Sequence, residues 1–246
     1  MAKKCPLYGV AIYLDCLECE QKECLKSKMQ EEKKKKYKKA VIGIDQSYTN
    51  TGISIAMDGK LQKVTSTKYY KECPCKHKNE EVINSKGNFV KVGTPSKTEK
   101  RAYVQEKVRK AINICLKYAE EVVIIVERIR TFNGGQNNYA RYMKATASLL
   151  ACIVDVAFEY DIKVYSVDTR AWKKAIVGDT KKGPNRYGVD PNKWHTICFV
   201  AKDLGIKSVM YRNKNNKLCF DDDAADSACI ALYGFHKGKQ SLLLED

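Results

Sequence analysis

Apolar and polar positions change their period several times along this chain, and the changes mark out its elements. From residue 41, VIGIDQS, TGISIAM and KLQKVTSTKYY read as three short strands, the last two joined by Asp58-Gly59, a dipeptide suited to the positive φ angles of a tight hairpin. An antiparallel meander is predicted. Residues 71–99 lose the pattern; they are rich in Lys, Gly, Ser and Thr and read as a polar insertion. Helical spacing returns over about 100–119. The run VVIIVE at 122–127 has no polar alternation, which suits a central strand buried on both faces. The loop TFNGGQNN leads to a long apolar-striped helix at about 138–159, then the strand KVYSVD, a basic turn RAWKKAIVGDTKKG, a helix at about 191–204 and a last helix from about 222. This order predicts an α/β fold on a mixed sheet.

The segments before residue 41 are different in kind. Residues 1–26 hold Cys5, Cys16, Cys19 and Cys24 with little material for a core. Four thiolates including one C-x-x-C pair suit tetrahedral Zn²⁺, which would supply the folding energy such a segment lacks. A redox pair at Cys16 and Cys19, or four unconnected thiols, are the alternatives. Residues 27–39, SKMQEEKKKKYKK, read as a basic linker or solvated helix. Cys73, Cys75 and His77 in the insertion would give three ligands of a second metal site. Cys115, Cys152, Cys198 and Cys229 fall in apolar helical patterns and read as reduced core thiols.

Charge narrows the partner. Forty-five Lys and Arg against 29 Asp and Glu give a net +16, while a 44% apolar share is ordinary for a globular protein. Such a field attracts polyanions in a salt-sensitive way, DNA and RNA alike. No stretch approaches the roughly 20 apolar residues of a membrane span, and the N-terminus lacks a signal-peptide pattern. A cytoplasmic protein with no membrane partner is expected.

Against this positive background stand three acidic groups: Asp45 and Glu127, each ending an apolar run, and the cluster Asp221, Asp222, Asp223 and Asp226. Asp223 and Asp226 are three apart at a helix start and share one face. The helix N-terminus favours negative charge, so these aspartates are expected to be ionised. Four carboxylates at one sheet edge can hold two Mg²⁺ ions about 3.5–4 Å apart, one activating water and the other stabilising the leaving 3′ oxygen of a phosphodiester. Asp222 rivals Asp223 for this role, but only Asp223 has the three-residue spacing to Asp226.

The ordered set G-I-D at Asp45, V-E at Glu127, V-D-T-R-A-W-K-K-A-I-V-G, and D-A-A-D at Asp223 and Asp226 resembles the RuvC family of Holliday junction resolvases, within the RNase H-like superfamily, over about residues 40–238. The resemblance implies an RNase H-like mixed five-stranded sheet flanked by helices, here preceded by the small cysteine-rich segment. It implies a homodimer that binds a four-way junction and nicks two strands of like polarity, using Mg²⁺ with Mn²⁺ as a substitute. Asp45, Glu127, Asp223 and Asp226 match the family's metal ligands. Lys173 and Lys174 match its basic segment near the scissile phosphate, where they stabilise developing charge or simply position the phosphate. Phe132 occupies the place of an aromatic that stacks near the junction centre, the alternative being a core cap; Gln136 and Tyr139 share its loop. Arg141 and Lys144, on the next helix, are assigned to backbone phosphates or to the dimer partner.

Three features depart from the family pattern. Its usual Pro-Gly after the first aspartate is Gln46-Ser47 here, and the cysteine segment and the 71–99 insertion are additions typical of phage and mobile-element variants. They leave open a general branched-DNA or flap nuclease of the same fold. Two readings from other classes remain. GIDQSYTNTG also resembles the first phosphate loop of actin-like sugar kinases, although no second such loop follows. A non-catalytic DNA-binding module would fit the charge but would gain nothing from four carboxylates facing a phosphate.

Overall fold

Alternating and continuous β-branched runs build the sheet, and small residues decide how closely a helix can lie on it. The computed structural model describes residues 36–47, 50–67, 81–83, 89–91, 97–129, 137–178, 191–212, 218–238 and 240–243. The elements in chain order are β1 (Tyr37–Asp45), β2 (Gly52–Met57), β3 (Lys60–Ser66), β4 (Glu81–Ile83), β5 (Phe89–Lys91), α1 (Lys97–Tyr118), β6 (Ala119–Glu127), α2 (Asn137–Glu159) and β7 (Val164–Val167). There follow α3 (Thr169–Trp172) with a π-helical turn Lys173–Val177, α4 (Pro191–Cys198) with a π-helical turn Phe199–Asp203, a 3₁₀ turn Lys207–Val209, β8 (Met210–Arg212), β9 (Leu218–Phe220), α5 (Asp222–Tyr233) and β10 (Ser241–Leu242).

The main sheet has the order β10-β7-β6-β1-β2-β3. The meander β1–β2–β3 is antiparallel, and β1, β6 and β7 run parallel. Asp58 and Gly59 carry φ of 45° and 79° at the β2–β3 turn, and the Asp58 carboxylate accepts from the Lys39 N–H at 2.9 Å. The sheet therefore has six strands rather than the expected five, because Ser241 and Leu242 return to pair antiparallel with Ser166 and Tyr165. Two further hairpins, β4–β5 inside the polar insertion and β8–β9 ahead of α5, were not anticipated; strands of three residues leave almost no periodicity to read. The described part of the segment read as a basic turn forms α3 and its π-helical turn, capped by Asp168, whose carboxylate accepts from the Arg170 N–H at 2.8 Å. Cys5, Cys16, Cys19 and Cys24, with Cys73, Cys75 and His77, lie outside the described residues.

Side chains alternate across the pleat into two cores. Ala40, Ile42 and Ile44 of β1 join Ile124 and Val126 of β6 against α1 and α2. Val41, Val123 and Ile125 face the other way, toward α5, α4 and the fully buried Trp172. Cys115 and Cys229 are buried thiols, and burial pushes Cys115 up to about 12 and raises Cys229 as well, as inert core cysteines require. Among the described residues no helix is long and apolar enough to cross a membrane.

The second core fixes the site. A Cβ on Gly43 would lie 2.3 Å from the Ala231 nitrogen and the Ser227 carbonyl, and one on Gly52 would lie 1.9 Å from the Asp223 carbonyl. The backbone of α5 thus rests directly on β1 and β2 at two glycines. Ser54 and Ser227 add a buried hydroxyl pair at 2.7 Å. These contacts bring the first turns of α5 to the carboxyl end of β1.

Candidate active site

Parallel β1 and β6 end side by side, so their last residues, Asp45 and Glu127, emerge at one edge of the sheet. The ladder between them closes at Ile44 and Val126. One residue further on, β1 leaves the sheet: Ser47 N–H bonds to the Asp45 carbonyl at 3.0 Å. The buried Gln46 side chain takes over the missing pairing, accepting from the Glu127 N–H at 3.2 Å and donating to the Glu127 carbonyl. On the other flank the Thr169 hydroxyl donates to the Glu127 carboxylate.

The acidic run divides by role. Asp221 is structural: it caps α5 by accepting from the Ala224 N–H at 3.1 Å and accepts from the Ser66 hydroxyl at 2.7 Å. Asp222 pairs with Lys193 of α4. Asp223 accepts from the Asn50 amide at 2.9 Å. Asp226 is buried, and its Oδ1 is one of two buried polar side-chain atoms without a partner among the described residues. Asp222 is thus held by an ion pair to α4, whereas Asp223 and Asp226 stand three residues apart on α5.

The four carboxylates lie near enough for Asp226, Glu127 and Asp223 to act on Asp45. Burial raises the Asp45 pKa well above its ordinary value, with further upward pressure from Asp226, Glu127 and Asp223. Burial and then the charge of Asp222 push Asp223 up to about 7, against Lys193 and the Asn50 hydrogen bond. Asp226 rises to about 6 through burial and the charges of Glu127 and Asp222, opposed by Lys173 and Lys193. Desolvation and like charge thus outweigh the help of the helix N-terminus, so that these aspartates ionise near neutral pH rather than at the ordinary aspartate value. Burial works against the Lys193 charge, but the hydrogen bond and charge of Asp222, with Asp223 and Asp226 beyond, hold its pKa above the usual lysine value.

A hard divalent cation would relieve this arrangement, because its natural donors are carboxylate oxygens and Asp226 Oδ1 has no hydrogen-bond partner among the described residues. As placed, the side chains do not close on an ion: among the described residues no three His, Cys, Asp or Glu side chains converge to ligating distance.

The other expected residues fall as follows. Lys173 lies close enough to Asp226 to oppose its raised pKa, and its ammonium sits 5.1 Å from the Trp172 ring centroid. Lys174 is exposed one position further on. Tyr139 belongs to the first turn of α2 rather than to a loop; Arg141 follows in that helix, and Lys144 is exposed on it. Phe132 and Gln136 lie outside the described residues. Sequence reasoning missed Gln46, Asn50, Thr169 and Lys193, because a polar residue in a loop or helix start declares no partner until distant segments meet. Only the replacement of Pro-Gly by Gln46-Ser47 hinted at the first.

The fold overlays RuvC from Thermus thermophilus in complex with Holliday junction substrate with a TM-score of 0.50, at 18% identity, over 83% of this chain and 99% of that chain. Also similar are another Thermus thermophilus RuvC structure (TM-score 0.46, 17% identity, 83% of this chain and 99% of that one) and the yeast mitochondrial Holliday junction resolvase Ydc2 (TM-score 0.41, 15% identity, 80% and 79%). The first overlay establishes a common fold. No family model and no curated protein sequence matches the chain.

Proposed function

We propose that the protein is a divalent-cation-dependent endonuclease that cuts branched DNA, with the four-way junction as its substrate and Asp45, Glu127, Asp223 and Asp226 as its catalytic centre. The observation that carries this reading is the meeting of four carboxylates from β1, β6 and α5 at one sheet edge, one of them with a buried, unpartnered oxygen. A purely DNA-binding surface would have no use for it, since four carboxylates repel a phosphate unless a cation intervenes. The junction is the favoured substrate because the overlaid RuvC holds one and because the chain is strongly basic.

In this reading the four carboxylates would hold Mg²⁺ or Mn²⁺, which supplies Lewis-acid activation of water and of the leaving oxygen. The residues of the chain prepare the site. Gln46 and Thr169 fix Glu127, and Asn50 fixes Asp223. Lys173 places positive charge beside Asp226, where it would meet a non-bridging oxygen of a phosphodiester. Paired nicks on two strands need two centres, so the working unit is a homodimer.

The test is cleavage of an end-labelled immobile four-way junction beside matched flap, duplex and single-stranded substrates, with Mg²⁺ or EDTA and with Asp226→Asn as control. Symmetric paired nicks confined to the junction support the proposal. Equal cutting of flaps makes the protein a general branch nuclease, and binding without cutting in any cation refutes the nuclease reading.

A further inference from the structure

Glu127 has both its main chain and its side chain held by residues outside the carboxylate cluster. Its N–H and carbonyl are both engaged by the Gln46 amide, and its carboxylate by the Thr169 hydroxyl. Gln46 is 4% exposed and stands where the β1–β6 ladder would otherwise lose its next rung. The chemistry of that rung is specific. The Glu127 N–H needs an acceptor and its carbonyl needs a donor, and among side chains of this length only a primary amide offers both. Thr169 follows the α3 cap, next to the strand that pairs Glu127 with Val167, so it approaches from the opposite flank.

We propose that Gln46 and Thr169 are positioning residues of the cation centre: Gln46 fixes the backbone separation of Asp45 and Glu127, and Thr169 fixes the direction of the Glu127 carboxylate. This rests on the nuclease reading above. Neither residue is assigned as a ligand, and neither carries charge. Their contribution is to hold a ligand's geometry before the cation arrives, and partners of that kind typically alter affinity or activity 10- to 100-fold when removed. A residue that merely completed the fold would change the melting temperature and leave the cation affinity of the folded protein alone.

The experiment measures Mn²⁺ binding by electron paramagnetic resonance on the full chain, together with kcat and KM on a four-way junction at saturating Mn²⁺. The variants are Gln46→Met, Gln46→Asn, Thr169→Val and Thr169→Ser, with Gln62→Met, an exposed site on β3, as the exchange control. Gln46→Met and Thr169→Val are expected to weaken Mn²⁺ binding about tenfold and to lower kcat 10- to 100-fold, with KM within about twofold. Thr169→Ser, which keeps the hydroxyl, should restore binding to within about threefold, and Gln62→Met should match wild type. If Gln46→Met does not fold, Gln46→Asn decides for that residue, since it keeps a neutral primary amide but is one methylene too short to reach both backbone groups of Glu127; it too should bind Mn²⁺ more weakly. Folded Gln46 and Thr169 variants with wild-type Mn²⁺ affinity and kcat overturn the inference. A wild-type protein that binds no Mn²⁺ and cuts nothing would instead overturn the nuclease reading on which it rests.

Discussion

A carboxylate buried beside other carboxylates keeps its proton longer than one in water, and that has a cost and a use. Asp223 at about 7 and Asp226 at about 6 both stand well above the ordinary aspartate value of 3.8. For an acid whose pKa is raised on folding, the native state holds more protons than the unfolded chain. The associated stability is present below pH 3.8 and is lost as pH rises through about 6 to 7. The cation-free protein should therefore melt at a lower temperature at pH 7.5 than at pH 5. Moving Asp226 alone from 3.8 to about 6 corresponds to about 3 kcal/mol over the whole range, of which about 1.4 kcal/mol falls between pH 5 and pH 7.5, on the order of 3–6 °C for a domain of this size. Added Mg²⁺ or Mn²⁺ should recover most of that loss at pH 7.5 and little at pH 5, as differential scanning fluorimetry would show; equal shifts at both pH values would contradict the site. By the same argument, Asp226→Asn should melt higher than wild type in EDTA at pH 7.5 while losing at least about 10³-fold in cleavage, the scale expected when a metal ligand central to the chemistry is removed. As candidates, Asp45 and Glu127 were legible in the sequence because each ends an apolar run, and Asp223 and Asp226 because they stand three apart at a helix start. The raised pKa values of Asp45, Asp223 and Asp226 were not, since desolvation depends on what separate elements bring over them.

At the scale of elements, the centre depends on how closely α5 lies on the sheet. Gly43 and Gly52 permit backbone-to-backbone contact, and any Cβ there would drive α5 away from β1 and β2 and carry Asp223 and Asp226 with it. Gly43→Ala and Gly52→Ala should each destabilise by about 1–3 kcal/mol or more and lower cleavage at least tenfold at temperatures where the variants remain folded. Gly59→Ala is the informative contrast. Its Cβ meets nothing within 4 Å, yet its φ is +79°, so it should cost about 1–2 kcal/mol in strain and leave cleavage unchanged. Urea melts with activity assays at a temperature below all the transitions would separate the two effects. The Asp58-Gly59 turn and the long helices could be read directly from the sequence, because turn chemistry and 3.6-residue periodicity are local. The β4–β5 and β8–β9 hairpins, the α3 turn and the β10 edge strand could not, because segments of two to five residues take their conformation from what they pack against.

For the molecule as a whole, a net charge of +16 coexists with an acidic centre. The basic surface should supply affinity and the acidic edge should supply chemistry, so the two should separate experimentally. Junction binding by wild type and Asp226→Asn should fall in parallel as salt rises, by about 10³-fold between 50 and 200 mM for about six phosphate contacts. Gel-shift titrations across that range would check it, and a loss of binding in Asp226→Asn alone would mean that the centre holds the DNA rather than cutting it. The charge was legible from composition, whereas the way Lys193 is spent on Asp222, leaving Asp223 to the centre, needed the packing of α4 against α5.

The central claim is that these four carboxylates form a cation site. Crystals grown with Mn²⁺ at pH 7.5 and measured at the manganese edge address it most directly. Anomalous density is expected in contact with the Asp45 and Asp226 carboxylates, reaching toward Glu127 and Asp223, and absent in Asp226→Asn crystals. Fully occupied crystals with no density at that edge, or with density only elsewhere on the chain, would contradict it.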